Sequence, residues 1–525
     1  MSATVQSAPA DSAMERLRAG GRSLAALPVR ARLAIVRGFR QRLAREPEPY
    51  IAALAAGPGR RPLEALAAEL LPLADACREL ERSAARLLRP RRAGAFGRPL
   101  WLGRLSHEVL REPHGLVAIV APGNIPLLPA AVQTLQAFVA GNAVTLKPAP
   151  AGAAVLRRFV DDLLAAGLPA AAIELADPDP AAFQDRLAEA DHVVVTGSTE
   201  TGAAVLAQRG RRAPETTLEL SGHDPVFVLP GAELDRVARA LAFGLTWFTG
   251  EVCIAPRRVF VIGQDSVEPL IPRLRERVIE RLADPGETPT DDEPEGAGEV
   301  PAEVEAWLAR ELAAGGRWTA LAPTSGAESR CAGPGVLTLT ADSPLLSTPA
   351  PRPGVLGLRA VPDVETALRE AGRCGLELGA AVFGPTRAAR ALASRIRAGS
   401  VTINDVIAPT ADPRAPFPAR GASGAGATRG PEGLLAMTRL KVIHTRHGGP
   451  VPHLAAARRR DAAILRAWLT ISRGGWRDAI AGLPALARAL MMSDHRDAAG
   501  DATDDAHHEE ARRPAEKRDA ARETA

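Results

Sequence analysis

Tyrosine is almost missing from this 525-residue chain, which has one, and aromatic residues together make up only 3%. Four cysteines are present, Cys77, Cys253, Cys331 and Cys374, and no two form a CxxC pair. That spacing suggests neither a zinc knuckle nor a disulfide framework, so each thiol is judged singly. No run of about 18 uninterrupted apolar residues occurs, which argues against a membrane-spanning helix. The opening "MSATVQSAPADSAMERLRAG" lacks the apolar core of a secretory signal, which predicts a soluble cytoplasmic protein. The net charge is only +4 and the basic residues are scattered, so no electrostatic footprint for nucleic acid stands out. What is present is globular: 46% hydrophobic and 24% charged residues, with an alanine and arginine bias that reads as genomic. The length allows about two to four domains, enough for an enzyme with a cleft between lobes.

Residues 11–92 carry apolar residues three and four apart, as in "LAAELLPLADACRELERSAARLL", and predict helices with Cys77 on the packed stripe. "LWLGRLSHEVLREPHG" has two short alternating runs and predicts a projecting hairpin at about 100–114. The rhythm then changes. "GLVAIVAPGN", "AVTLKPAP" and "DHVVVTGS" read as strands separated by helical stretches, which implies a parallel sheet covered on both faces. Ligands of such sheets bind beyond the carboxyl ends of the strands. "TTLELSGHDPVFVLPG" adds two strand-like pieces, and a helix runs into "GEVCIAPRR" at 250–258. A second alternating half extends to about Gly430, interrupted by the acidic, Pro-rich "ADPGETPTDDEPEGAGEVP", a predicted surface loop.

The expected organisation is a flexible start at 1–10 and a cofactor-binding lobe at 11–240. A catalytic lobe at 241–430 and a closing strand at 431–446 follow, with a helical extension at 447–492 split at Gly474 and Gly475. Residues 493–525 have little aliphatic bulk and predict a disordered tail; its His507, His508, Glu509 and Glu510 read as solvated, not as a metal site.

Five spots combine into one chemistry. A thiolate attacking a carbonyl creates an oxyanion, which an amide such as Asn124 Nδ2 can meet; losing such a donor costs about 3 kcal/mol of barrier. Alone, Asn124 reads equally as a turn residue. In "VVVTGSTETG" a strand ends and a helix opens with free amides, a place for a pyrophosphate, or simply an ordinary capped helix. Lys147 could reach a ribose or phosphate, or be a solvated lysine at a strand end. Glu219 could activate water near a thioester, or be a surface glutamate on a strand. Arg257 and Arg258 could favour a Cys253 thiolate, although in isolation Cys253 reads as a buried inert thiol.

Taken in order, these stretches resemble the aldehyde dehydrogenase superfamily across about residues 15–445. The resemblance rests on "APGNIP", "AGNAVTLKPAP", "TGSTETG", "LELSG", "GEVCIAP" (for Gly-Gln-x-Cys) and "GSVTIND". It implies an α/β fold of two lobes, each a mainly parallel sheet covered by helices, plus a small oligomerisation hairpin. It also implies a nucleophile at Cys253, a general base at Glu219 and an oxyanion donor at Asn124. Lys147 would hold the adenosine ribose or its phosphate, and Gly197 and Ser198 would lie under the pyrophosphate. Pro122, Thr196, Gly202 and Leu220 complete the implied contacts with NAD or NADP. The implied reaction oxidises an aldehyde to a carboxylic acid through a cysteine thioester.

Departures qualify this expectation. Pro150 stands where NAD-preferring members carry glutamate, which leaves NADP possible. The family's Glu-x-Phe-Gly-Pro segment should fall near "LLSTPAPRPGVLGL", yet residues 343–362 hold no carboxylate for the nicotinamide ribose. The family's late Pro-Phe-Gly-Gly segment is altered to "PFPARGASGAG". A CoA-acylating enzyme is the nearest alternative, weakened by the presence of Glu219, and a catalytically silent scaffold subunit is another. The stretch Leu102–His114 and "RLKVIHTR" resemble oligomerisation elements, which implies a homodimer or homotetramer.

Overall fold

The computed structural model describes residues 10–492 apart from 58–59, 95, 100–101, 209–214, 264–265, 284–299, 323–332, 450–451, 455 and 457. Cys331, most of the acidic loop, the expected flexible start and the expected disordered tail therefore lie outside the described residues. The chain divides into two compact units, Met1–Arg92 with Glu108–Ile443, and Ala93–His107 with His444–Ala525.

Strands β1 (Arg91–Ala93) and β2 (Leu105–Pro113) precede the first large sheet, made of β3 (Leu116–Val120), β4 (Ala143–Lys147), β5 (Ile173–Leu175), β6 (His192–Thr196) and β7 (Glu215–Glu219). The second comprises β8 (Asp224–Val228), β9 (Pro256–Ile262), β10 (Arg317–Ala320), β11 (Gly335–Thr338), β12 (Val355–Val361), β13 (Gly379–Phe383) and β14 (Ser400–Ile403). Short pieces β15 (Phe417–Pro418), β16 (Gly424–Ala425) and β17 (Ala427–Thr428) follow, and β18 (Thr438–Arg446) closes the series. The orders are β16-β7-β6-β3-β4-β5 and β10-β11-β12-β9-β8-β13-β14, parallel except for the edge strands β16 and β10. β3, "LVAIV", is buried at every position because helices cover both faces of its sheet, which is why it reads as a continuous apolar run. This is the mixed α/β fold that the sequence predicts.

Register places the chemistry. Val120 pairs with Lys147, and Thr196 pairs with Glu219, so "APGNIP", "LKPAP", "TGSTETG" and "LELSG" all lie at the carboxyl edge of the first sheet. The link Leu220–His223 carries the chain directly from β7 into β8 of the second sheet. The expected lobe boundary at 240 is thus corrected to this link, because β8 is buried at every position and pairs with β9 and β13 of the second sheet. β16 lies antiparallel on β7 with Gly424 opposite Glu219, which brings the altered late segment to the predicted base.

The expected hairpin at 100–114 is also corrected. Leu105–Pro113 is one uninterrupted strand, lying between β1 and β18. Its two alternating runs share one extended backbone because the glycine that punctuates them, Gly103 at φ +68°, lies before the strand and not within it. In the second unit, the helices Arg459–Arg473 and Trp476–Met491 meet at Gly474 and Gly475, where the Gly475 amide donates to Asp478 at 2.9 Å. Gly482 lets the two helices approach, since a Cβ there would lie 2.7 Å from Ile471.

Candidate active site

A cleft of about 1020 Å³ runs along the carboxyl edge of the first sheet, lined at one end by Thr196, Gly197 and Ser198 and elsewhere by Asn124, Glu219, Glu251 and Cys253. Cys253 follows the helix Leu234–Thr246 and a 3₁₀ turn, Trp247–Gly250. Phe248 (φ 50°), Thr249 (φ 52°) and Gly250 (φ 77°) are successive left-handed residues. Such a conformation costs about 1–3 kcal/mol at each non-glycine residue and persists only where neighbours enforce it. One enforcing contact is the buried Glu64, whose Oε1 accepts the Phe248 amide at 3.0 Å. On the other side, Gly222 packs so closely that a Cβ would lie 2.2 Å from the Cys253 carbonyl oxygen.

Burial pushes the Cys253 thiol up to about 12, the carboxylates of Glu219 and Asp224 push the same way, and Arg429 opposes them. Of the two arginines that could favour a thiolate, Arg257 senses the Cys253 charge and Arg258 does not. Arg258 is fully buried and turns away, donating to the carbonyls of His223, Leu346 and Ala371 and to Cys374 Sγ at 3.2 Å. Arg257 donates to the Gly250 carbonyl at 2.6 Å and so braces the turn.

Glu219 is 4% exposed, not a surface glutamate. Its Oε2 accepts the Thr428 hydroxyl at 2.9 Å. Burial raises its pKa above the usual carboxylate range, while Arg429 and the Thr428 hydrogen bond hold it down. Asn124 is fixed from two sides: its Nδ2 donates to the Glu251 carbonyl at 2.7 Å, and its own carbonyl accepts Arg60 Nη2 at 2.9 Å. An amide nitrogen carries two N–H groups, so one bond to Glu251 leaves the second for a ligand.

The helix Thr199–Gln208 opens at the cleft, with Ser198 Oγ accepting the Thr201 amide at 3.1 Å and Ser221 Oγ accepting that of Thr199 at 3.2 Å. Gly197 leaves the strand end bare of side chain, and the cleft has dinucleotide dimensions, so the site fits NAD or NADP with the pyrophosphate at the helix N-terminus. Pro122, Thr196, Gly197, Ser198 and Leu220 line the cleft, whereas Lys147 and Gly202 do not. Gly202 instead packs against Leu220, where a Cβ would lie 2.6 Å from Leu220 Cδ1. Lys147 is partly buried, which lowers its pKa, and the carboxylates of Asp179 and Asp177 act against that. Pro349, Ala350, Pro351, Arg352 and Pro353 line the same cleft, so the stretch without a carboxylate does face it.

Sequence reasoning missed Arg60, Glu64, Glu69, Asp224, Thr428 and Arg429. Thr428 and Arg429 lie just after the stretch flagged as altered, and that flag was the available signal. Asp224 is 4% exposed beside the Cys253 loop, and burial pushes its carboxyl up to about 7. Cys77 is a packed core thiol, fully buried.

A cleft lined from both sheets, with a helix N-terminus, a thiol, a carboxylate and an amide on it, is the ligand site expected of an α/β fold beyond the carboxyl ends of its strands. The chain belongs to the aldehyde dehydrogenase family, whose family model matches residues 2–443. It is 27% identical over 449 residues to a Mycobacterium tuberculosis protein carrying the provisional name succinate-semialdehyde dehydrogenase [NADP(+)] 2, covering 83% of this chain and 84% of that protein. It is 32% identical to the chloroplastic betaine aldehyde dehydrogenase of Beta vulgaris over 161 residues, 30% of this chain and 32% of that one. Among solved structures, succinic semialdehyde dehydrogenase from Streptococcus pyogenes in complex with NADP+ superposes with a TM-score of 0.70 at 21% identity, covering 83% of this chain and 95% of that chain. The NADP-dependent glyceraldehyde-3-phosphate dehydrogenase from Bacillus halodurans C-125 gives 0.72 at 23%, covering 83% and 91%. The protein is an NAD(P)-dependent aldehyde dehydrogenase. No helix among the described residues is long and apolar enough to cross a membrane.

Proposed function

We propose that Cys253 is the nucleophile, Glu219 the general base and Asn124 the oxyanion donor of this aldehyde oxidation. The observation that carries the reading is the convergence of all three, from two loops and the end of strand β7, on one cleft. The Cys253 thiol gives up its proton to solvent, its thiolate attacks the aldehyde carbon, and the oxyanion that forms is met by the free Asn124 N–H; the thiolate released at the end takes a proton back. NAD(P)+, when bound, supplies a hydride acceptor. Collapse of the tetrahedral adduct leaves a thioester on Cys253. Glu219 takes a proton from water, the hydroxide adds to the thioester, and the carboxylic acid leaves with the thiolate restored. One aldehyde, one NAD(P)+ and one water give one acid, one NAD(P)H and one proton. A carboxyl with a raised pKa suits this step, because it accepts a proton near neutrality. NAD(P)H formation at 340 nm (a wavelength that belongs to the cofactor, roughly) with a panel of aldehydes tests the reading. Cys253→Ala should abolish it, and equal rates in both proteins would overturn it.

Arg60, Arg257, Arg352 and Arg429 line the same cleft. Together with the relatives' names, this supports an aldehyde that itself bears a carboxylate. A higher kcat/KM for succinate semialdehyde than for butanal is the expected result. The exposed Leu440, Val442 and Ile443 on β18 support a homo-oligomer, and the setting we assign is the cytoplasm. Light scattering of the wild type and Val442→Glu tests the assembly, and fractionation of cells tests the compartment.

A further inference from the structure

Arg60 is 5% exposed, and its Nη2 makes two bonds that reach two separate loops of the site. One goes to the Asn124 carbonyl at 2.9 Å and the other to Glu251 Oε2 at 3.0 Å. The Glu251 side chain is 44% exposed, so the guanidinium is the buried partner. The guanidinium carbon lies 4.5 Å over the Phe248 ring, on the left-handed turn that precedes the thiol. Glu251 closes the figure, since its backbone carbonyl accepts Asn124 Nδ2 at 2.7 Å. Residues 60, 124 and 251 thus form a three-membered ring of contacts that ties the oxyanion-donor loop to the nucleophile loop two residues before Cys253.

The same short segment grips both loops a second time. Glu64 takes the Phe248 amide, and the fully buried Glu69 takes the amides of Leu127 and Leu128 at 2.8 and 2.9 Å. These two amides open the helix Leu128–Ala140, just after Asn124. Three side chains within ten residues therefore hold two loops that are about 130 residues apart in sequence, since Asn124 and Glu251 are separated by 127.

We propose that Arg60 and Glu251 are a positioning pair that fixes the distance between the Asn124 amide and the Cys253 sulfur. The inference rests on the roles given above to Cys253 and Asn124. Moving either loop relative to the other breaks a bond of this buried guanidinium and leaves it with the charge of Glu69 and the Phe248 ring as neighbours. Attack needs the sulfur and the oxyanion donor on the same carbonyl group at once, and a misplacement of about 1 Å can cost about 100-fold in rate.

The test is the pre-steady-state burst of NAD(P)H, read with the dissociation constant of the cofactor and the thermal midpoint. Arg60→Met should slow the burst about 100-fold while cofactor affinity stays within about two-fold, and Arg60→Lys should recover part of the loss. Glu251→Ala, at the exposed end of the pair, should slow the burst about ten-fold, and the double variant Arg60→Met with Glu251→Ala should be no slower than Arg60→Met alone. A wild-type burst in either single variant, or losses that multiply in the double variant, would overturn the pair. Should Arg60→Met fail to fold, Glu251→Ala and Arg60→Lys decide: an unchanged burst in both overturns the proposal. Cys253→Ala run beside them separates the two claims, since activity there sinks the nucleophile assignment, whereas an inactive Cys253→Ala beside a fast Glu251→Ala sinks only the positioning pair.

Discussion

The Thr428 hydroxyl donates to the Glu219 carboxylate at 2.9 Å, joining a residue just after the altered late segment to the candidate base 209 positions earlier. That bond favours the ionised carboxylate against the burial that raises its pKa. Removing it in Thr428→Val should move the acid limb of the steady-state rate to higher pH, because the base then titrates later. A pH profile of kcat from 5 to 9 (roughly the accessible range) checks this, and an unshifted limb would show that the hydroxyl does not act on the base.

Glu219→Gln separates the two halves of the reaction. The burst of NAD(P)H should survive, since attack and oxidation come first, while steady turnover falls by about 100-fold or more as the thioester accumulates. Loss of the burst together with turnover would place Glu219 in the first half-reaction instead.

Arg429 opposes the rise of both Cys253 and Glu219, lines the cleft, and donates to the Thr410 carbonyl at 3.0 Å from a backbone held at φ +60°. Arg429→Met should make both groups harder to ionise, so activity falls at neutral pH and returns partly at alkaline pH. In the wild type, with the thiol pushed up to about 12, iodoacetamide inactivation should quicken about ten-fold per pH unit between about pH 7 and 9. A plateau in that range would mean that the free enzyme holds a thiolate.

Asp224 gives a stability prediction with a definite sign. Its folded pKa, about 7, lies above the ordinary carboxylate value, so the folded state keeps a proton that the unfolded chain gives up. Its contribution is fully present below about pH 4 and is lost as pH rises towards 7. Asp224→Asn removes this loss and keeps an oxygen for the Gly379 amide. The variant should therefore gain about 2 kcal/mol more over wild type at pH 8.5 than at about pH 5, read from denaturant or thermal unfolding.

Asp177 and Asp179 place two negative charges near Lys147. A 2′-phosphate brought to that lysine would meet both, so the pair Asp177→Asn with Asp179→Asn should lower KM for NADP more than for NAD. Equal changes for the two cofactors would show that the carboxylates do not sense the phosphate.

The sequence alone determined the class of fold, and the resemblance of its motifs, taken in order, singled out Cys253, Glu219 and Asn124 as candidates. Each sits in a short stretch whose pattern is local: an apolar run ended by a turn for Asn124, a carboxylate at a strand end for Glu219, a thiol just after a helix for Cys253. Only the tertiary structure decided the state of those groups. Whether Glu219 is a surface residue or a buried base depends on β16 and Thr428, which reach it from across the chain. Whether Arg258 faces Cys253 or Cys374 depends on side-chain direction, which adjacency in sequence does not encode. Arg60 meets partners 64 and 191 positions away, so no window of sequence contains the ring it completes. Local periodicity is written into neighbouring residues, but burial and charge partners arise when distant segments pack together, and these set what each group in the cleft can do.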